Sequence, residues 1–166
     1  MRKIAKKLHL VLIILFLFEI IVSSITEAKA LTLHSGIEYY GTWAHIIGGM
    51  VTGVFLVIFI FVELKLRGLK YFTPDFKKIE NDIETLKELD LPKLYSRGLW
   101  ASFEGFGLLS ALFTVLSGVM WFIFMNSGFF HLLKEIHEFF TVLIRAYVFI
   151  HGAMGILYIY TMKQKK

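Results

Sequence analysis

The chain has no cysteine, two prolines and almost no basic residues in two of the three stretches that separate its apolar runs. Without cysteine there are no disulfides, no covalently attached c-type haem and no cysteine-ligated iron–sulfur cluster. Quinone-linked disulfide oxidases, which work through cysteine pairs, are excluded on the same ground. No internal repeat and no low-complexity tract is present. Proline is confined to Pro74 and Pro92, both in one connection, so the long apolar runs contain no proline break.

What fills the 166 residues is apolar surface, 57% hydrophobic and 16% aromatic. A soluble domain of this size has no need of so much. The excess gathers into four runs, roughly 8–24, 42–63, 99–125 and 137–161. Each is near the ~20 residues that span a bilayer. The connections are too short to hold a second domain. The sequence predicts an all-α fold, a single four-helix transmembrane bundle over residues 1–166.

Lys and Arg set its orientation. Arg2, Lys3, Lys6 and Lys7 precede the first run. Lys65, Arg67, Lys70, Lys77, Lys78, Lys87, Lys93 and Arg97 lie between the second and third, and Lys163, Lys165 and Lys166 end the chain. Only Lys29 and Lys134 fall in the other two connections. The positive-inside rule then places both termini and the long middle connection in the cytoplasm of a multi-pass inner-membrane protein. The net charge of +5 follows from this bias and is not a nucleic-acid footprint. The basic start, the apolar run and Ala28-Lys29-Ala30 also fit a cleavable signal peptide. His9 inside the run has no use in such a signal, so a retained span is expected. In the middle connection, Thr73-Pro74-Asp75 reads as a helix start with Thr as cap and Pro in the first turn. Phe76, Ile79, Ile83, Leu86 and Leu89 then recur at three- and four-residue steps among charges. This predicts an amphipathic cytoplasmic helix, on the bilayer or under the bundle, ended by Pro92.

Histidine carries the functional signal. His34 and His131 fall in the outer connections and read as solvated or interfacial. His9, His45, His137 and His151 lie within or at the edge of apolar runs, where polar side chains are costly and usually have a task. A lone intramembrane His is often only hydrogen-bonded to a neighbouring helix, but four of them fall in register. His137 and His151 are 14 residues apart, almost four helical turns, so they share a face about 21 Å apart along the axis. The first run leads outward, which places His9 towards the cytoplasm. The second leads inward, which places His45 towards the exterior. Depth therefore pairs His45 with His137 and His9 with His151. Two stacked b-type haems with bis-His ligation need this geometry, and the candidate iron ligands are these four. Gly48, Gly49, Thr52 and Gly53 form a smooth strip after His45, and Gly152 and Gly155 follow His151. A porphyrin lying flat on a helix needs small residues there, with Gly49 and Gly152 the candidate contacts; close helix packing favours them equally. Gly107, Ser110, Ala111, Thr114, Ser117 and Gly118 read as a packing face. Arg145 is expected to pair with Glu19 and hold the bundle, a haem propionate being its other possible partner. Glu104 is expected to snorkel to the interface, or else to pass protons to a quinone.

With these features the chain resembles the di-haem cytochrome b subunits of membrane-bound formate dehydrogenases and nickel–iron hydrogenases. The resemblance covers most of the chain. It is carried by the His137-x13-His151 spacing followed by Gly152 and Gly155, by a first-span His after a basic start, and by His45 with its glycines. Thr114-Val115-Leu116-Ser117-Gly118-Val119-Met120-Trp121 is also similar to the family's small-residue turn before an aromatic. The resemblance implies two haem b groups on His9, His45, His137 and His151. It further implies an iron–sulfur subunit and a catalytic subunit on the outer face, and a quinone near the inner haem. Leu10 stands where many members have Trp, and Leu94-Tyr95-Ser96-Arg97-Gly98-Leu99-Trp100 does not match the family's polar quinone residues. The candidate quinone contacts, Tyr95, Ser96, Arg97 and Glu104, come instead from their own chemistry at the inner boundary. The expected function is electron transfer across the membrane in either direction, with no substrate chemistry on this chain. A haem-free four-helix anchor and a proton or metal transporter using the intramembrane His are the readings from other classes.

Overall fold

The computed structural model describes residues 1–24, 36–87 and 98–164. Every element among them is helical: α1 (Arg2–Ser23), α2 (Ile37–Arg67), α3 (Leu69–Phe72), α4 (Phe76–Lys87), α5 (Leu99–Ile123) and α6 (Phe130–Gln164). Three stretches are long and apolar enough to cross a membrane: Ile37–Arg67, Leu99–Ile123 and Phe130–Leu157. α1 has 22 residues, but Lys6, Lys7 and Glu19 keep it outside that class.

The helices run past the predicted ends. α2 begins at Ile37 and α6 at Phe130, well before their apolar runs. Apolarity marks depth in the membrane, whereas a helix continues as long as its backbone bonds and side-chain pairs permit. Lys134 and Glu138, 3.1 Å apart at i and i+4, support that first stretch of α6.

α2 packs against both α1 and α5, and α6 packs against α5. Leu12, Leu56, Phe59, Ala111 and Ile144 meet in the core, one or two from each long helix. The outward faces are apolar too, with Val54, Val57, Phe61, Leu109 and Phe149 among many exposed side chains. A surface of this kind suits lipid, where the helix satisfies its own backbone and needs no polar exterior. Hydroxyls inside the long helices bond back to their own carbonyls, as Thr52 does to Gly48 at 2.8 Å.

Small residues on α5 form the expected packing face: Gly107, Ser110, Ala111 and Ser117 are buried. On α2 the strip divides. A Cβ on Gly53 would lie 2.7 Å from Val115 Cγ1, and one on Gly48 would strike Phe18 at 2.9 Å and Glu19 closer still. These two glycines admit neighbouring helices. Gly49 has nothing within 4 Å.

After α2 Gly68 turns the chain with φ 76°, a left-handed conformation that glycine adopts without strain. The cap of the amphipathic helix differs from expectation. Thr73 terminates α3, and its hydroxyl donates to the Lys70 carbonyl at 3.0 Å. Asp75 takes the role, with Oδ1 3.4 Å from the Lys78 N–H, and Pro74 stands ahead of the first turn. Phe76 and Ile83 of α4 are exposed, while Asp82 accepts a 2.8 Å bond from the Leu99 N–H and ties α4 to the start of α5. The expected stop at Pro92 lies outside the described residues.

Candidate functional site: two imidazole pairs at two levels

Four histidines on three helices come together as two pairs. The rings of His45 and His137 are 6.2 Å apart between centroids, and those of His9 and His151 are 5.9 Å apart. The 14-residue interval on α6 separates the levels by about 21 Å.

At the first level both Nδ1 atoms are engaged. His45 Nδ1 lies 2.6 Å from Glu19 Oε2, a contact between α2 and α1. His137 Nδ1 lies 3.0 Å from the Thr114 carbonyl and 3.2 Å from Ser117 Oγ, both on α5. The Ser117 hydroxyl itself donates to Thr114 O at 3.0 Å, so its oxygen accepts from the ring. A carboxylate and a carbonyl only accept, so each Nδ1 carries a hydrogen, and in the neutral imidazole it is Nε2 that has the free lone pair. Orienting bonds of this type are the usual support of imidazoles that ligate metal. Gly118 permits the approach of His137: a Cβ there would sit 2.9 Å from Cε1 of the ring. Thr114, Ser117 and Gly118, read from sequence only as packing, therefore also position His137. Trp121 lies against the same ring at 5.8 Å.

Around this pair is a cavity of about 690 Å³, lined by His45, Gly49, Gly118, His137, Thr141 and Arg145 among others. That volume lies within the range of small-molecule and cofactor sites, about 300–1,000 Å³. The expected Arg145–Glu19 pair does not form. Glu19 is taken by His45, and Arg145 Nη2 instead donates to Ser23 Oγ at 2.8 Å.

The second level is aromatic. His151 stacks on Trp100 at 5.4 Å and on Tyr147 at 5.1 Å, and His9 packs beside Phe59 at 5.9 Å. His9 keeps an exposed flank, and Gly152 next to His151 has open space around it. Trp100 also donates from Nε1 to Glu104 Oε1 at 3.1 Å, which connects the pair to an ionic cluster. There Arg67 lies 2.9 Å from Glu104 Oε2 and 2.8 Å from Glu63 Oε2. Its guanidinium covers the Tyr71 ring at 4.6 Å. Burial, together with the Glu104 carboxylate, pushes the Tyr71 phenol above its ordinary pKa. Glu104 is thus an ion-paired member of a cluster and does not snorkel alone. Tyr95, Ser96 and Arg97 lie outside the described residues, as does His34. His131 is exposed in the first turn of α6.

Arg67→Ala is expected to destabilise the bundle. Removing one side of a buried ion pair costs about 3–5 kcal/mol. Arg67 is one-third exposed, while Glu63 and Glu104 are 8% and 20% exposed. A loss of about 2 kcal/mol is expected, after discounting for that exposure. Heat denaturation in detergent measures it, and an unchanged midpoint would mean that the two carboxylates do not depend on this cation.

The chain matches no family model, and no curated protein or solved structure is significantly similar to it.

Proposed function

We propose that this chain is a membrane electron conduit that binds two b-type haems, one between His45 and His137 and one between His9 and His151. On this reading α1 is a fourth span, both termini face the cytoplasm and the His45 level is the outer one. Electrons pass between an iron–sulfur partner of a dehydrogenase or hydrogenase on the outer face and a quinone at the inner face.

The observation that carries the reading is the separation of the rings. Two metal–imidazole bonds of about 2 Å, plus roughly 1 Å from each nitrogen to its ring centre, set centroids about 6 Å apart. The two pairs stand at 6.2 and 5.9 Å. The donor set agrees with it, since the Nδ1 bonds to Glu19 and Thr114 leave Nε2 of His45 and His137 to face a metal. Bound haem supplies the one-electron chemistry. The helices fix the spacing of the levels, exclude water and orient the ligands. A bare-ion transporter is less well supported, because no three His, Asp or Glu among the described residues converge on one point. Stable zinc sites use three or four ligands.

The test is optical. Protein purified from haem-replete cells should give a reduced-minus-oxidised spectrum with a broad or split α band. Pyridine haemochrome assay should approach about two haems per chain, the number set by two bis-His pairs. A colourless preparation would overturn the proposal.

A further inference from the structure

Arg145 is a cation within the bundle with no anion paired to it among the described residues. Arginine stays protonated in proteins, and an ionised side chain at membrane depth normally pairs with another charge. Among the described residues no carboxylate lies within ion-pair distance of it, and its one hydrogen bond goes to the neutral Ser23 hydroxyl. Its Nε is buried with no partner. One turn away on the same helix, Thr141 Oγ1 is also buried with no partner. His137, Thr141 and Arg145 fall at i, i+4 and i+8 of α6, so they form one stripe, and all three line the cavity between His45 and His137. The cavity therefore holds two imidazoles at one level and, about 6 and 12 Å along the axis from His137, the unsatisfied Thr141 hydroxyl and Arg145 Nε; the third unsatisfied donor in its lining, Trp121 Nε1, stays beside the His137 ring.

We propose that Arg145 and Thr141 bind a carboxylate of the haem seated between His45 and His137, which turns that edge of the porphyrin towards the middle of the membrane. The inference rests on the haem reading above. A guanidinium presents two parallel N–H groups that match the two oxygens of a carboxylate, and the threonine hydroxyl offers a third donor. The other cation lining the cavity, Lys134, is a poorer candidate. It lies 3.1 Å from Glu138 and already has its counter-charge.

The experiment compares protohaem with its dimethyl ester, in which both carboxylates are blocked. The full-length chain carrying His9→Ala, so that only the level of His45 and His137 is filled, is prepared without haem and titrated with each compound by absorbance. Protohaem should bind about tenfold or more tightly than the ester, the size of a charge-assisted bond. Adding Arg145→Gln should bring protohaem down to the affinity of the ester, and adding Lys134→Gln should leave the preference in place. Equal binding of the two compounds without any change at Arg145 overturns the proposal and leaves the haem reading standing. Loss of the preference in Lys134→Gln but not in Arg145→Gln overturns it too, because the carboxylates then point the other way. If neither compound gives the sharpened, red-shifted Soret band of bis-imidazole ligation, the haem reading itself fails.

Discussion

His137→Ala is expected to lower the haem content from about two per chain to about one, and His45→Ala to delete the same spectral species. The two rings face each other at 6.2 Å, so an iron bound there, as proposed, would depend on both. Truncating either ring removes an axial bond and leaves a gap in a cavity that offers no replacement imidazole. His9→Ala and His151→Ala should delete the other species, because those rings form the second pair at 5.9 Å. Redox titration of the four variants separates the outcomes. If His9→Ala and His137→Ala remove the same component, the pairing across the bundle is wrong. His131→Ala serves as the control and should retain both, since that ring is exposed and apart from either pair.

Glu104→Gln should slow reoxidation of the haems by quinone about a hundredfold, the lower end of the range for loss of a positioned acid–base group. The haem spectra should not change. Glu104 stands beside the His9–His151 level, tied to Arg67 at 2.9 Å and to Trp100 at 3.1 Å. A quinone reduced at that end needs protons as well as electrons. Gln preserves size and the bond from Trp100 but cannot carry the proton. Stopped-flow mixing of the reduced protein with a soluble quinone measures the rate. A normal rate in Glu104→Gln removes this residue from the proton path. A quinone-analogue inhibitor that perturbs only the haem of His45 and His137 would place the reaction on the opposite face.

The pairing of the histidines was legible in the sequence because two independent signals fixed depth. Basic residues gave each run its direction, and the 14-residue interval placed two rings on one face of one helix. The surroundings of the pairs were harder to read. Glu63 sits in the last turns of α2, where a carboxylate looks like a residue reaching for solvent, and Arg67 looked like one more anchor among eight basic residues. Only the packing of α3 and α5 against that end makes them a cluster with Glu104. Glu19 and Arg145 were both visible as charges in apolar runs, and opposite charge suggested a pair. Sequence spacing within one helix says nothing about relative depth on two, and Glu19 falls level with His45. Thr114 and Ser117 looked like packing residues for a related reason. Their bonds to His137 use a backbone carbonyl and a small hydroxyl, neither of which has a pattern of its own.

The three tryptophans are distributed with a practical consequence. Trp100 lies on the His151 ring and Trp121 beside the His137 ring, at 5.4 and 5.8 Å, while Trp43 packs on Phe122 at 6.2 Å. Indole emission is quenched by energy transfer to an acceptor that absorbs in the near ultraviolet, as a porphyrin does. Each level thus has its own built-in fluorophore. A porphyrin bound at either level would lower that emission, so its uptake can be followed by intrinsic light emission alone, with no label attached to the protein.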